Sequence, residues 1–357
     1  MSRTPVIVGL GLQTAVGLDL PANIAAVRSG LNSFRLSDYL RSFKAAEPLK
    51  ISQLSTLSPN LGVYDRMKTM ACAAAQEALS TLLQVFPTGS VPELSLLLAV
   101  PADRPGLPVG SGNQLFQELV TALPIHLNKS ISGLANTGND GGLAALDYAA
   151  RMIRSGAMEF CLVGGVESYQ DIDTLHWLEA QDRLKLKEQP NGFIPGEGAG
   201  FVLLCSRERA QSMGLACAAE IVSTGRGAEQ RLCFTGMPNL GEGLTQALQV
   251  AFSSEHCPLQ QLRAVYSDLN GESWRADEWG YTFVRTGERH ASPINMRHPA
   301  SNWGDIGAAS GPALIALASV ELNHNLEPHD MVLVWASSDL HPSRSACILR
   351  RALRGNS

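Results

Sequence analysis

A chain of 357 residues with 45% hydrophobic content holds the apolar material for a large core, which excludes a disordered chain and a small cross-linked scaffold. A net charge of -5 without any long Lys/Arg run excludes a basic footprint for nucleic acid or for an anionic membrane surface. No apolar stretch approaches the ~18 residues of a bilayer span, and the glycine-punctuated start MSRTPVIVGLGLQTAVG reads as a strand and turn.

Short β-branched runs alternate with Ala-rich stretches, the pattern of a layered α/β architecture. Pro5–Val8 reads as the first strand, Arg66–Leu82 as a helix, Leu94–Val100 as a strand and Leu143–Ile153 as a second helix. Phe160–Val163 and Phe201–Leu204 read as buried strands, followed by the solvent-facing Ser206–Arg209. The chain is expected to divide just beyond, into 1–212 and 213–357. The second half repeats the habit, with Gly243–Phe252 helical, Ala264–Ser267 extended, Ala308–Leu322 helical and Met331–Trp335 extended.

The seven cysteines (72, 161, 205, 217, 233, 257 and 347) are scattered, with no C-x-x-C and no His at metal spacing. They read as reduced, small apolar filler, which implies a cytoplasmic protein. None of the eight histidines forms a ligand pair, and His324 and His329 read as solvent-facing. Trp274, Trp279 and Trp303 read as core or rim packing. Neither a metal nor a cofactor is indicated.

Several local signatures follow one another in a set order. Val8-Gly9-Leu10-Gly11 with Thr14 and Gly17 opens the chain, and Asp65-Arg66 leads into the Ala-rich helix. Arg154-Ser155-Gly156 then precedes Phe160-Cys161-Leu162-Val163-Gly164-Gly165, and Asn191–Gly200 reads NGFIPGEGAG. In kind and order these resemble the β-ketoacyl synthases of the thiolase-like superfamily over nearly the whole chain. The resemblance implies two similar halves stacked as a five-layer αβαβα sandwich.

Function has to be argued from the site. Such enzymes take an acyl group from a thioester onto a Cys at the N-terminus of a buried helix, where the helix field favours the thiolate. The family's spacing back from Gly156 lands on Asn139, between Gly138 and Asp140 and ahead of Gly141. An amide is neutral and a poor nucleophile. The resemblance puts the family's two histidines at Asp268 and at Asp305, the latter after Asn302-Trp303-Gly304. An imidazole donates to a forming oxyanion, whereas a carboxylate repels it unless protonated. The family's Gly-Phe-Gly-Gly loop falls at Ser337–Pro342, where Ser338 and His341 replace glycine and Pro342 lacks an N–H. Glu197 is expected to accept hydrogen bonds from nearby loop N–H groups.

These departures imply a pseudoenzyme, a scaffold or accessory subunit working through protein association as a homo- or heterodimer. An intact ketosynthase, an acyl carrier protein or a secreted cargo protein are the partners considered. The alternative is an acyltransferase or acyl-thioester-processing enzyme with Asp268 or Asp305 as base; a non-catalytic acyl binder with an open tunnel is a third reading. Asn139, Asp268 and Asp305, if brought together, either hydrogen-bond one another and local backbone, hold a cation, or act as an acid–base pair. Closure of the pocket by His341 or Trp303 favours the scaffold.

Overall fold

Apolar side chains that alternate along the strands divide the interior into separate cores, and that alternation fixes the layer order. The computed structural model describes residues 3–86, 91–232, 236–255, 257, 262–323 and 330–352; Cys233, His324 and His329 lie outside them. Its strands are β1 (Pro5–Thr14), β2 (Phe34–Arg41), β3 (Pro48–Ser52), β4 (Glu93–Ala99), β5 (His126–Leu127), β6 (Gly133–Ala135), β7 (Phe160–Ser168), β8 (Glu197–Ser206), β9 (Ala219–Ala228), β10 (Leu262–Ser267), β11 (His290–Arg297), β12 (Met331–Ser337) and β13 (Ser343–Arg350). The helices are α1 (Leu20–Arg28), α2 (Val63–Val85), α3 (Ser111–Ala122), α4 (Gly141–Ser155), α5 (Ile172–Ala180), α6 (Arg207–Ser212), α7 (Glu242–Phe252), α8 (Ser273–Arg285), α9 (Ala300–Trp303) and α10 (Ser310–Asn323).

Two runs of strands share one plan. Inward from their outer edges the orders are β6-β4-β7-β8-β1 and β11-β10-β12-β13-β9, with parallel pairing across the first three strands and antiparallel pairing thereafter. They join where β1 lies antiparallel to β9 through Val6↔Glu220 and Ile7↔Ala219. The hairpin β2-β3 stands apart.

Val6, Val8, Leu203 and Cys205 pack with Met70, Ala74 and Ala78 of α2, while the alternate residues Ile7, Val202 and Leu204 pack with α4 and α10. In the second run Val332, Val334 and Leu349 face that same central pair, and Leu333, Trp335 and Ile348 face α7. The result is the thiolase-like fold, five layers with α4 and α10 in the middle. Helix α10 is buried nearly all round and largely apolar, as packing between two sheets requires, with the buried Glu321 accepting from the Tyr266 hydroxyl.

Glycines set how closely helix and sheet approach. A Cβ on Gly9 or Gly11 of β1 would stand 2.0 Å from a carbonyl oxygen of α2, that of Ala78 or Ala74. On Gly225 and Gly227 of β9 it would meet Ala247 O of α7 at 2.1 Å and Gly243 O at 2.0 Å. The first strand of each run therefore carries the same Gly-x-Gly device.

The strands and helices expected from sequence lie where they were read, generally a few residues longer. The helix expected from Ala308 instead begins as a 3-10 turn, Gly307–Ala309, with α10 starting at Ser310 and Pro312 in its first turn, where no intrahelical N–H is needed. The described cysteines form no disulfide with one another, and burial pushes the Cys161 and Cys347 thiols well up. Trp303 is buried, and Trp279 stacks on Trp335 with ring centroids 5.3 Å apart. Among the described residues no helix is long and apolar enough to cross a membrane.

Gly11→Ala and Gly227→Ala should each lower the urea unfolding midpoint by the equivalent of about 2 kcal/mol, because a methyl there must displace backbone. Gly280→Ala, in α8 with open space around it, should leave the midpoint unchanged or raise it by up to about 1 kcal/mol. Equal losses at all three positions would eliminate close approach as the cause.

Candidate functional site

The two central helices pack side by side, and the 3-10 turns that precede them, Gly138–Asp140 and Gly307–Ala309, come into contact. That meeting brings Asn139 to Asp305 although 166 positions separate them: Asn139 Nδ2 donates to Asp305 Oδ1 at 3.2 Å. The Asp305 backbone is fixed by the Gly-rich segment, its N–H donating to Ile194 O and its carbonyl accepting from Gly196 N, both at 2.8 Å. Its carboxylate also accepts from Gly307 N at 2.6 Å and from Asn270 Nδ2 at 2.6 Å.

Asp268 stands just past the end of β10. Its Oδ2 accepts from Arg275 Nη1 at 2.7 Å and from Ser337 N at 2.9 Å. Burial pushes this carboxyl up to about 7, the Arg275 guanidinium and the Ser337 N–H offsetting only part of the effect.

Arg183, from the loop after α5, reaches across to the second half of the chain. Its Nε and Nη2 donate to Glu272 at 2.8 and 3.0 Å, and its Nη1 donates to Asp339 at 2.7 Å. Against burial, Arg183 and Arg275 hold the Asp339 carboxyl down at about 2, and Arg183 likewise holds Glu272 below the usual carboxylate range. Asn270 Nδ2 donates to Glu272 Oε2 at 3.0 Å. One polar chain therefore runs from Asp339 through Arg183, Glu272, Asn270 and Asp305 to Asn139.

Little space remains. Ser267, Asp268, Trp303, Asp305 and Ser310 line a cavity of about 10 Å³, and Asn139, Glu167, Tyr169, Arg183 and Leu340 line another of about 10 Å³. Each has room for about one water and none for an acyl chain. Trp303 walls the first, as anticipated. Closure of the second falls to Arg183 and Leu340 and not to His341, because Arg344 pins that loop, donating to the carbonyls of Ser338 at 2.8 Å and His341 at 3.1 Å.

The remaining expected positions separate. Ser338 Oγ donates to Thr137 O at 2.6 Å, which keeps Ser338 beside Gly138. Gly141 lies behind the site against Ala99, and Asn302 lines neither cavity, its amide donating to Leu31 O at 2.7 Å. Glu197 accepts from Leu54 N at 2.7 Å as expected, and also takes Arg66 bidentately at 2.7 and 2.6 Å. Sequence reasoning missed Arg183, Glu272 and Arg275; their only signal was charge beside segments already singled out. A larger cavity of about 520 Å³ lies at the ends of β4 and β6, lined by Val100, Leu107, Leu115, Leu134 and Asn136, and Asn139 takes no part in it.

The Asp268 value fixes a pH dependence. Raised in the folded state, this carboxyl contributes stability that is complete below about pH 4, its unfolded value, and is lost as pH rises through about 7. Asp268→Asn should flatten that fall, read as a smaller difference between urea midpoints at pH 5 and pH 8. An unchanged difference would place the titration elsewhere.

Residues 134–210 match the family described as Beta-ketoacyl synthase, N-terminal domain. The 3-oxoacyl-[acyl-carrier-protein] synthase 2 of Rhizobium meliloti (strain 1021) is 26% identical over 202 residues, 52% of this chain and 47% of the relative, so the match spans about half the relative's length. A chain from the AntDE:AntF complex, a type II PKS acyl-carrier protein with its ketosynthase, superposes with TM-score 0.82 at 16% identity, covering 99% of this chain and 100% of that one. The ishigamide ketosynthase/chain length factor gives TM-score 0.81 at 15% identity over 99% and 100%. The ketosynthase from module 6 of the bacillaene synthase of Bacillus subtilis 168 gives 0.78 at 14% identity, covering 98% and 72%. Residues 134–210 thus match a β-ketoacyl synthase domain in sequence, and along its whole length the chain shares the fold of the ketosynthase structures.

Proposed function

We propose that the chain is a non-catalytic ketosynthase-like protein that acts as a scaffold or accessory subunit through association with another protein. The observation that carries this reading is the closed polar net. Where a condensing enzyme keeps a thiol and two imidazoles, this chain has Asn139, Asp305 and Asp268, tied to neighbours and enclosing cavities of about 10 Å³. No side chain there is a competent nucleophile, and the two carboxylates oppose an oxyanion. An intact ketosynthase is the partner favoured by the likeness to a ketosynthase/chain length factor structure, with an acyl carrier protein or a secreted cargo protein as the other candidates. A dimer in the cytoplasm, and a division of the chain at 212/213 supported by the repeated strand order, belong to the same reading.

Loss of a nucleophile that acts as part of a unit costs on the order of 10⁶ in turnover, and restoring one member leaves the others missing. Asn139→Cys, alone or with Asp268→His and Asp305→His, should therefore give no β-ketoacyl product from acyl- and malonyl-loaded carrier protein. Product from the single variant would overturn the proposal. Native mass spectrometry after gentle affinity purification from the host should find a second protein at fixed stoichiometry. A homodimer carrying an acyl mass would count against the reading.

One observation favours a second reading. Asp268, placed near 7 by burial, has the proton affinity of a general base. Release of free acid from an acyl-carrier thioester, abolished by Asp268→Asn, would establish it; the closed cavities argue for no release.

A further inference from the structure

The buried arginines of the site are each matched by carboxylates: Arg183 by Glu272 and Asp339, Arg275 by Asp268, and Arg344 by Glu278. Asp305 is not. It is 4% exposed, and its carboxylate takes only neutral donors, the amides of Asn139 and Asn270 and the N–H of Gly307. Among the described residues no Lys, Arg or His forms an ion pair with it. Arg275 acts on it only through space, its own bonds going to Asp268 and the Ser337 carbonyl, and a buried carboxylate with no directly bonded counter-charge is costly.

Across the same small cavity lies a second unsatisfied group. The Asp268 side chain is 1% exposed, and while its Oδ2 is occupied by Arg275 and Ser337, its Oδ1 has no hydrogen-bond partner. Asp268 and Asp305 both line the cavity of about 10 Å³, and Ser267, Gly304 and Ser310 are also in its lining. Two carboxylates, one bonded only by neutral donors and the other with a free oxygen, thus face a space of the size of one water or one dehydrated ion.

We infer that this cavity binds a monovalent alkali cation between Asp268 and Asp305. A divalent ion fits poorly, since Ca²⁺ and Mg²⁺ take six or more oxygens, and Arg275 already supplies one positive charge to this pair. The ion balances the charge that Asp305 leaves over and occupies the free Asp268 oxygen. The site thereby keeps closed what would otherwise be two repelling carboxylates. This inference does not depend on any partner protein, so it stands or fails separately from the scaffold reading.

The test compares thermal unfolding of the full chain at pH 8.5 in tetramethylammonium, sodium and potassium chloride at equal ionic strength, since tetramethylammonium is too large for the cavity. Sodium or potassium should raise the midpoint by on the order of 2–4 °C over tetramethylammonium, and the gain should shrink at pH 5, where protons replace the ion. Asp305→Asn and Asp268→Asn should abolish the difference between salts. Equal midpoints in all three salts for the unmodified chain, or a difference that survives in both variants, overturns the inference. Crystals of the unmodified chain soaked in thallium(I) give a readout that needs no variant. An anomalous peak between Asp268 and Asp305 supports the site; peaks only at the surface refute it.

Discussion

Arg183 is the contact on which the closed site depends. It leaves the first half of the chain and is gripped by Glu272 and Asp339 of the second, with every part of its fork in use. Buried ion pairs of this kind contribute little net stability, because desolvation offsets attraction, but losing one partner costs about 3–5 kcal/mol. Their effect is geometric. With Arg183 in place, Glu272 orients Asn270, Asn270 orients Asp305, and Asp305 holds Asn139. A cavity that is to admit a thioester arm needs room where this network now stands.

The location of the network follows from the repeated architecture. Two strand runs of identical order place α4 and α10 as equivalent helices, so their N-terminal turns meet near the centre. Each half supplies one close-packing device, Gly9-x-Gly11 on α2 and Gly225-x-Gly227 on α7, and each fixes the outer layer without constraining the inner one. The scaffold therefore survives changes at the centre, provided that buried charges stay matched.

Much of the fold was legible because it rests on local signals. The apolar runs Phe201–Leu204 and Met331–Trp335, the alanines of α2 and the largely apolar α10 each announce their layer. Strand β11 and helix α8 were not, since α8 is polar on average and β11 carries charge and Pro293 in an edge strand. At the site, Asn139, Asp268 and Asp305 were picked out by the positions that the family resemblance assigns to them. It gave no hint of Arg183, because a single arginine in a polar loop carries no periodic or motif signal. Nor was the setting of His341 legible, its loop being positioned by Arg344, a strand residue paired with a carboxylate far away in sequence, Glu278.

Aspartate in place of histidine changes more than one reactive group. A neutral imidazole can be buried beside an amide without a counter-charge, whereas a carboxylate brings a charge that must be matched. The arginines and amides around Asp268 and Asp305 are the expected complement of that exchange, since either carboxylate alone in this interior would be driven to its neutral form. Arg275, wholly buried and bonded to both Asp268 and the Ser337 carbonyl, fills such a role beside the position the resemblance assigns to the first histidine. Asp268→His would therefore take from Arg275 its nearest carboxylate. Any chemistry at this site has to work within the charges already placed around the cavity.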